Sequence, residues 1–281
     1  MGEERTNLLH RLQEEKSMRL KGGLYHTTQI KLAYNSNRIE GSMLSEEQTR
    51  YIFETNTLNT APNETANVDD IIETVNHFIC FDFMLDAAEK NISEEMIKEF
   101  HRILKSNTSD SRKEWFKIGD YKTRPNVVGD IETTAPAEVG SAIAALLDSY
   151  HQTAVNFAAL VNFHYRFEKI HPFQDGNGRV GRIILFKECL KNDIVPFIIE
   201  DEYKVFYYRG LKEFEKTPGY LMDTCLSAQD KYRDVVGYFF GETVSLKEKR
   251  RRLLDEINSC DIPESAKAID PVKLIREDRD R

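Results

Sequence analysis

Residues 157–191 read FAALVNFHYRFEKIHPFQDGNGRVGRIILFKECLK and combine two helical patterns with a glycine-rich turn. Large side chains recur at three- and four-residue spacing in the first half, at Phe157, Leu160, Val161, His164 and Phe167. Residues 178–191 continue with a second helical pattern. Two helices are therefore predicted, and the turn between them places residues 171–177 at the start of the second helix.

The same spacing covers most of the remaining chain. It predicts further helices at about residues 4–20, 24–40, 45–55, 71–85, 93–105, 136–150 and 201–215. Residues 118–131 differ, because β-forming side chains occur there with Pro125 and turn residues, which favours a short exposed hairpin. An ordinary loop between helices is the alternative. The predicted fold class is all-α with one short hairpin.

The charge balance narrows the possible partners. The 281 residues include 39 Lys and Arg against 47 Asp and Glu, a formal net charge of −8, which argues against nucleic acid as a partner. No stretch reaches the roughly 18 apolar residues of a membrane span, and the charged start is unlike a signal peptide. A cytoplasmic protein without a membrane partner is expected. The four dispersed cysteines, with no CxxC pair, favour reduced thiols.

The turn has the composition of an anion site. Gly176 and Gly178 permit positive φ and close backbone approach, so that successive N–H groups converge at a helix N-terminus. The helix dipole favours a phosphate there, and Arg179 and Arg182, three residues apart, lie on one helix face. The alternative is a structural turn whose arginines form surface ion pairs.

Asp175 and His171 add a cation site and a base to this turn. A carboxylate at Asp175 would repel a phosphate unless a divalent cation lay between them, and Mg²⁺ prefers one or two carboxylates with phosphate oxygens. His171, four residues earlier, titrates near neutrality and suits proton transfer from an attacking hydroxyl. These residues indicate phosphoryl or nucleotidyl transfer.

Residues 171–182, HPFQDGNGRVGR, resemble the signature of the Fic family, HxFx(D/E)GN(G/K)RxxR, at every fixed position. The resemblance implies a helical bundle with a hairpin flap, and transfer of AMP from ATP to a Ser, Thr or Tyr hydroxyl of a protein, with release of pyrophosphate. It implies His171 as general base, Asp175 as ligand of Mg²⁺ or Mn²⁺, and Arg182 as ligand of the γ-phosphate. It assigns the other phosphate contacts to Gly176, Asn177, Gly178 and Arg179.

Position 178 separates branches of the family. Related kinases of the Doc type have lysine there, so Gly178 points to transfer of AMP. The family's adenine-pocket positions correspond to Tyr207, Tyr208 and Leu211, and an aromatic face suits stacking on a purine. Core packing on the helix at 201–215 is the alternative for these residues.

Residues 36–41, here called the inhibitory segment, resemble the family's inhibitory motif, (S/T)xxxE(G/N). Ser36 and Glu40 lie four residues apart on one helix face, and Gly41 is placed to end that helix. A carboxylate beside Arg182 would neutralise it and displace the γ-phosphate, so the resemblance implies inhibition in cis. An ordinary helix end is the alternative.

The predicted organisation has three parts. N-terminal helices with the inhibitory segment occupy residues 1–62, the catalytic core 63–240, and a charged extension 241–281. The segment that resembles the family's flap, which pairs with the backbone of a target by strand addition, contains Thr123, Val127 and Val128.

Three functions remain open. The first is AMP transfer, with ATP and a protein target as partners, this chain itself included, and a homodimer possible since family members often form dimers. The second is removal of AMP from a modified protein, in which Glu40 positions a water. The third is a catalytically silent nucleotide-sensing module, for which loss of His171 or Asp175 is expected; both residues are present.

Overall fold

The structure, a computed structural model, describes residues 3–60, 65–128 and 131–241. Within these ranges the chain forms ten α-helices: α1 (Glu3–Met18), α2 (Leu24–Ile39), α3 (Glu46–Thr55), α4 (Val68–Asp86), α5 (Glu94–Lys105), α6 (Val139–His151), α7 (Phe157–Ile170), α8 (Asn177–Lys191), α9 (Lys204–Glu213) and α10 (Gly219–Phe239). Strands β1 (Val127–Val128) and β2 (Ile131–Glu132) pair antiparallel. The predicted all-α class is confirmed.

Helix α8 lies at the centre of the bundle. Every residue from Asn177 to Leu190 is buried, and α2, α4, α5 and α7 pack around the helix. Ile183, Ile184 and Leu185 are consecutive, so they point in different directions around the helix axis, and all three are buried, as expected for a helix enclosed on every side. This packing surrounds the N-terminus of α8 with side chains from other helices.

The N-terminal helices pack on the same core. Leu12 of α1 and Leu24 of α2 are completely buried. The Tyr25 hydroxyl of α2 donates to Oδ1 of Asp82 on α4 at 2.6 Å. Helix α2 also contacts α8, so its C-terminal end reaches the first turn of that central helix.

Two elements depart from the sequence-based expectation. Residues 118–126 form turns and loop, so the paired strands are much shorter than the hairpin predicted for 118–131, and the loop alternative holds for most of that range. The sequence pattern also does not predict α10. Between Leu221 and Tyr232 its buried face carries only small or polar residues, which give a weak hydrophobic signal: Cys225, Ala228 and Gln229.

Residues up to Phe239 form one compact unit. The division near residue 62 stays a prediction, and the charged extension lies, apart from Gly241, outside the described residues. Cys80, Cys189 and Cys225 are buried free thiols. Among the described residues, no helix is long and apolar enough to cross a membrane.

Candidate functional site

The turn between α7 and α8, here called the HPF loop (residues 171–177), is braced by the Asn177 side chain. Its Oδ1 accepts from the Phe173 N–H at 2.7 Å, and its Nδ2 donates to the Phe173 carbonyl at 2.8 Å. His171 (φ +53°) and Gly176 (φ +81°) turn the chain through the left-handed region. The amide of Asn177 therefore shapes the loop, while its backbone N–H lies in the first turn of α8.

His171 is partly buried at the end of α7. Its Nδ1 lies 3.3 Å from the Glu168 carbonyl, which only accepts hydrogen bonds. We infer that Nδ1 carries the proton and that Nε2 keeps its lone pair. Burial, with a contribution from Lys122, lowers the pKa of His171 below its ordinary value of 6.5. The neutral imidazole at physiological pH is the form that accepts a proton.

The N-terminus of α8 is a positive region inside the bundle. The first N–H groups of a helix lack partners within that helix, and the dipole adds a partial positive charge. Arg179 and Arg182 project from the same turns and are only 3% and 5% exposed. Both guanidinium groups contact carboxylates inside the protein, so the alternative of surface ion pairs does not describe them.

Three contacts join Arg182 to the end of α2. Nη2 donates to Oε1 of Glu40 at 2.6 Å and to the Ser36 carbonyl at 2.9 Å, and Nε donates to the Ser36 hydroxyl at 3.0 Å. Helix α2 ends as the sequence predicts, because Gly41 follows Glu40 at φ +102°. A Cβ at Gly178 would overlap Oε1 of Glu40, so this carboxylate lies directly against the first turn of α8.

Helix α9 and the turn before it hold the end of α2 in place. The Tyr208 hydroxyl donates to the Ile39 carbonyl at 2.9 Å. The Asp201 N–H donates to Oδ1 of Asn35 at 2.9 Å, and Oδ2 of Asp201 lies 3.5 Å from Nε of Arg38. The inhibitory segment is therefore attached to the same helix that carries the predicted adenine-pocket residues.

Asp175 belongs to a second network with two residues that the sequence does not single out. Its Oδ2 lies 2.6 Å from Nζ of Lys105 and 3.3 Å from Nη2 of Arg179. Glu73 contacts both cations, with Oε1 2.6 Å from Lys105 and Oε2 2.5 Å from Nη1 of Arg179. Burial acts to raise the pKa of Asp175, but Arg179 and Lys105 together hold it well below its ordinary value.

Asp175 is suited to a divalent cation as one hard, ionised oxygen donor, since Mg²⁺ takes one or two carboxylates together with phosphate oxygens. In the part of the chain that the structure describes, no group of three or more His, Cys, Asp or Glu could hold a metal by itself. A cation at Asp175 therefore needs ligands from a phosphate and from water.

The three predicted adenine-pocket residues differ in exposure. Tyr207 is 1% exposed, and its hydroxyl lies 2.7 Å from Nε2 of the buried His164, which is the core packing that the alternative describes. Tyr208 is 43% exposed and Leu211 is partly buried. Of the three side chains, these two present surface to a ligand.

The predicted flap segment is joined to the HPF loop at its base. The Lys122 N–H donates to the Pro172 carbonyl at 2.9 Å, and Nδ2 of Asn126 donates to the Phe173 carbonyl at 3.0 Å. The predicted flap residues are Thr123 and Val127, which are exposed, and Val128, which pairs with Ile131 in β1 and β2. Exposed residues of the flap segment therefore lie next to the loop that carries His171.

Sequence patterns do not identify Glu73 and Lys105 as site residues, because the residues that they contact are far away in the sequence. Lys105 lies 32 positions from Glu73 and 70 from Asp175. Helical periodicity detects apolar faces, and a charged residue between them is ordinarily assigned to solvent. The one sequence signal for a buried charge is Glu73 itself, which lies within the apolar run that includes Ile72 and Val75.

Comparisons with known proteins point to one family. A profile of the Fic/DOC family matches residues 91–188. Protein adenylyltransferase fic-1 of Caenorhabditis briggsae is 28% identical over 189 residues, and protein adenylyltransferase Fic of Nematostella vectensis is 27% identical over 191. The alignments cover 63% and 64% of this chain but 35% and 42% of those proteins. The chain thus spans about two fifths or less of the length of these curated relatives.

Solved structures share the fold. A Fic domain-containing signaling protein of Bacteroides thetaiotaomicron VPI-5482 aligns with a TM-score of 0.63 at 23% identity, over 84% of this chain and 88% of that one. Fic-1 (residues 134–508) of Caenorhabditis elegans aligns with a TM-score of 0.61 at 20% identity, over 86% of this chain and 73% of that one.

Proposed function

We propose that this chain is an enzyme of the Fic type, which transfers AMP from ATP to a Ser, Thr or Tyr hydroxyl of a protein and releases pyrophosphate. The match of residues 91–188 to the Fic/DOC profile and the shared fold of solved Fic proteins support the proposal. The observation that carries the proposal is His171 in the HPF loop, next to a helix N-terminus with two enclosed arginines. Gly178 leaves the first turn of α8 without the lysine of the related kinases, which favours transfer of AMP over transfer of the γ-phosphoryl group.

His171 is the general base of the proposed reaction. Its Nε2 accepts the proton of the target hydroxyl while the hydroxyl oxygen forms a bond to the α-phosphorus. The bond from that phosphorus to the bridging oxygen of the β-phosphate breaks, and pyrophosphate leaves with its electron pair. The bond from Nδ1 to the Glu168 carbonyl keeps the imidazole in the tautomer that this step requires.

The first turn of α8 binds the triphosphate. Its N–H groups and dipole attract the anion, and Arg179 and Arg182 add charge-assisted hydrogen bonds. Asp175 would hold the cation, and Mg²⁺ bound there neutralises charge on the phosphates. The exposed ring of Tyr208, with Leu211, contacts the adenine.

The protein target is held by the flap segment. Thr123 and Val127 are exposed next to the HPF loop, so a strand of the target added there would bring its hydroxyl towards His171.

Glu40 inhibits this reaction in cis. Nε and Nη2 of Arg182 already donate to Glu40 and Ser36, so a γ-phosphate has to compete with the carboxylate for the guanidinium. A displaced γ-phosphate shifts the α-phosphorus away from the line of attack, and a misplacement of about 1 Å is able to slow a reaction on the order of a hundredfold.

Mass spectrometry of the purified chain after incubation with ATP and Mg²⁺ tests the proposal. The wild type and the Glu40→Gly variant are compared for the mass of an added AMP and for its site, with Glu40→Gly/His171→Ala as the control. We expect AMP on the Glu40→Gly variant and none on the double variant. If the double variant still acquires AMP, a residue other than His171 is the general base.

Removal of AMP from a modified protein is the second candidate, and the position of Glu40 favours it. The carboxylate lies against Gly178 in the same site, where it is able to orient a water towards a phosphorus. If this activity exists, Glu40→Gly abolishes release of AMP from the labelled protein while it raises transfer. Release that continues in Glu40→Gly would exclude that role of Glu40.

A further inference from the structure

The ammonium of Lys105 donates a hydrogen bond to the Asp175 carboxylate, the group that the proposed function assigns to the divalent cation. Lys105 lies in the last turn of α5 with its side chain only 2% exposed. Its stem runs beneath the HPF loop, because a Cβ at Gly176 would lie 3.4 Å from Cδ of Lys105. Its Nζ contacts Oδ2 of Asp175 at 2.6 Å, the distance of a charge-assisted hydrogen bond.

The charges of this network balance without an added ion. Lys105 and Arg179 are the cations, and Glu73 and Asp175 are the carboxylates that lie closest to them. Asp110 also lies 3.5 Å from Nζ of Lys105, but its charge is paired with Lys113, 2.5 Å away. Nζ of Lys105 donates to the carboxylates of both Glu73 and Asp175, as expected of a charged ammonium.

We propose that Lys105 is a positioning residue that acts as an internal cation on Asp175 and makes binding of the divalent cation depend on the nucleotide. This inference rests on the proposed function only in assigning the cation to Asp175. In the site without nucleotide, a free Mg²⁺ has to compete with Lys105 for Oδ2 and is repelled by both Lys105 and Arg179. The phosphates of ATP bring the negative charge that allows the lysine and the metal to share the carboxylate.

Binding of Mn²⁺ alone, followed by electron paramagnetic resonance in the absence of nucleotide, tests this role. For Lys105→Met we expect a Kd at least tenfold lower than for the wild type. Lys105→Arg keeps the positive charge and is expected to bind Mn²⁺ as weakly as the wild type. Lys105→Met with Asp175→Asn is expected to lose the gain, which identifies Asp175 as the ligand.

A charge-balanced variant keeps the test valid if Lys105→Met folds poorly. Lys105→Met with Glu73→Gln removes one charge of each sign and still frees Oδ2 of Asp175, so tighter binding of Mn²⁺ is expected there as well. Equal Kd values for the wild type and the variants without Lys105 would overturn the inference, and so would a gain that survives Asp175→Asn.

The test is separate from that of the proposed function, because it measures metal binding without ATP. Failure of AMP transfer in Glu40→Gly overturns the proposed function and leaves a tighter Kd for Mn²⁺ standing. An unchanged Kd overturns the role of Lys105 and leaves AMP transfer standing.

Discussion

Nη2 of Arg182 lies 2.6 Å from Oε1 of Glu40, across 142 positions of sequence. Nε and Nη2 of the same guanidinium also donate to Ser36, so the end of α2 occupies two of the three nitrogens that would bind a phosphate. Arg182 is buried, and an ion pair with a buried member is screened much less by salt than one at the surface. Release of the arginine therefore requires the end of α2 to move or Glu40 to rotate away.

Glu40→Gly is expected to raise AMP transfer on the order of ten- to a hundredfold, because Arg182 becomes free to align the γ-phosphate. Transfer of labelled AMP from ATP measures the effect. The same substitution at Glu47, an exposed position on the neighbouring α3, serves as the control and is expected to leave transfer unchanged. Equal transfer by the wild type and Glu40→Gly would remove the basis for inhibition in cis.

Tyr208→Phe is expected to raise transfer by roughly two- to tenfold, the effect of losing a hydrogen bond of about 0.5–1.5 kcal/mol. The hydroxyl donates to the Ile39 carbonyl, so its loss loosens the end of α2, while the aromatic ring that we propose to contact the adenine is kept. In the Glu40→Gly background the same change is expected to have no effect. An additive gain in both backgrounds would show that the hydroxyl acts on something other than the inhibitory segment.

The pH profile of Glu40→Gly is expected to be flat from about pH 7 to 8 and to fall only below the ordinary imidazole pKa of about 6.5. The pKa of His171 lies below 6.5 because of burial, so the base is neutral over the plateau and is lost only by protonation at lower pH. Glu40 acts to raise this pKa, and its removal moves the fall to still lower pH. A rate that continues to rise between pH 7 and 8 contradicts His171 as the base.

Glu168→Gln is expected to be more stable than the wild type at pH 8, by about 1–3 kcal/mol, and to lose this advantage at pH 5. Burial raises the pKa of Glu168 from 4.5 to about 8. The folded chain therefore binds a proton that the unfolded chain has released, and the wild type loses stability as pH rises between these values. Thermal unfolding of both proteins at pH 5 and pH 8 measures the difference in stability between Glu168→Gln and the wild type. A difference that is the same at both pH values would show that Glu168 does not titrate in this range.

Much of the site is predictable because its signals are local. The end of α2 needs only Gly41 after Glu40, and the left-handed conformation there follows from the residue type. The stretch from His171 to Arg182 is similar, since its histidine, glycines and arginines fall within twelve residues. Tyr207 is different: its residue type suits both an adenine pocket and the core, and only packing against His164 separates them.

The sequence by itself determined the helical class, the turn before α8 and the end of α2, because hydrophobic period, glycine positions and capping act over a few residues. Tertiary structure decided which charges meet. Glu40 reaches Arg182, and Lys105 reaches Asp175, because α2 and α5 both pack on the buried α8. The same charges would interact only weakly in water, so the strength of these pairs depends on their burial. No local sequence pattern encodes that burial.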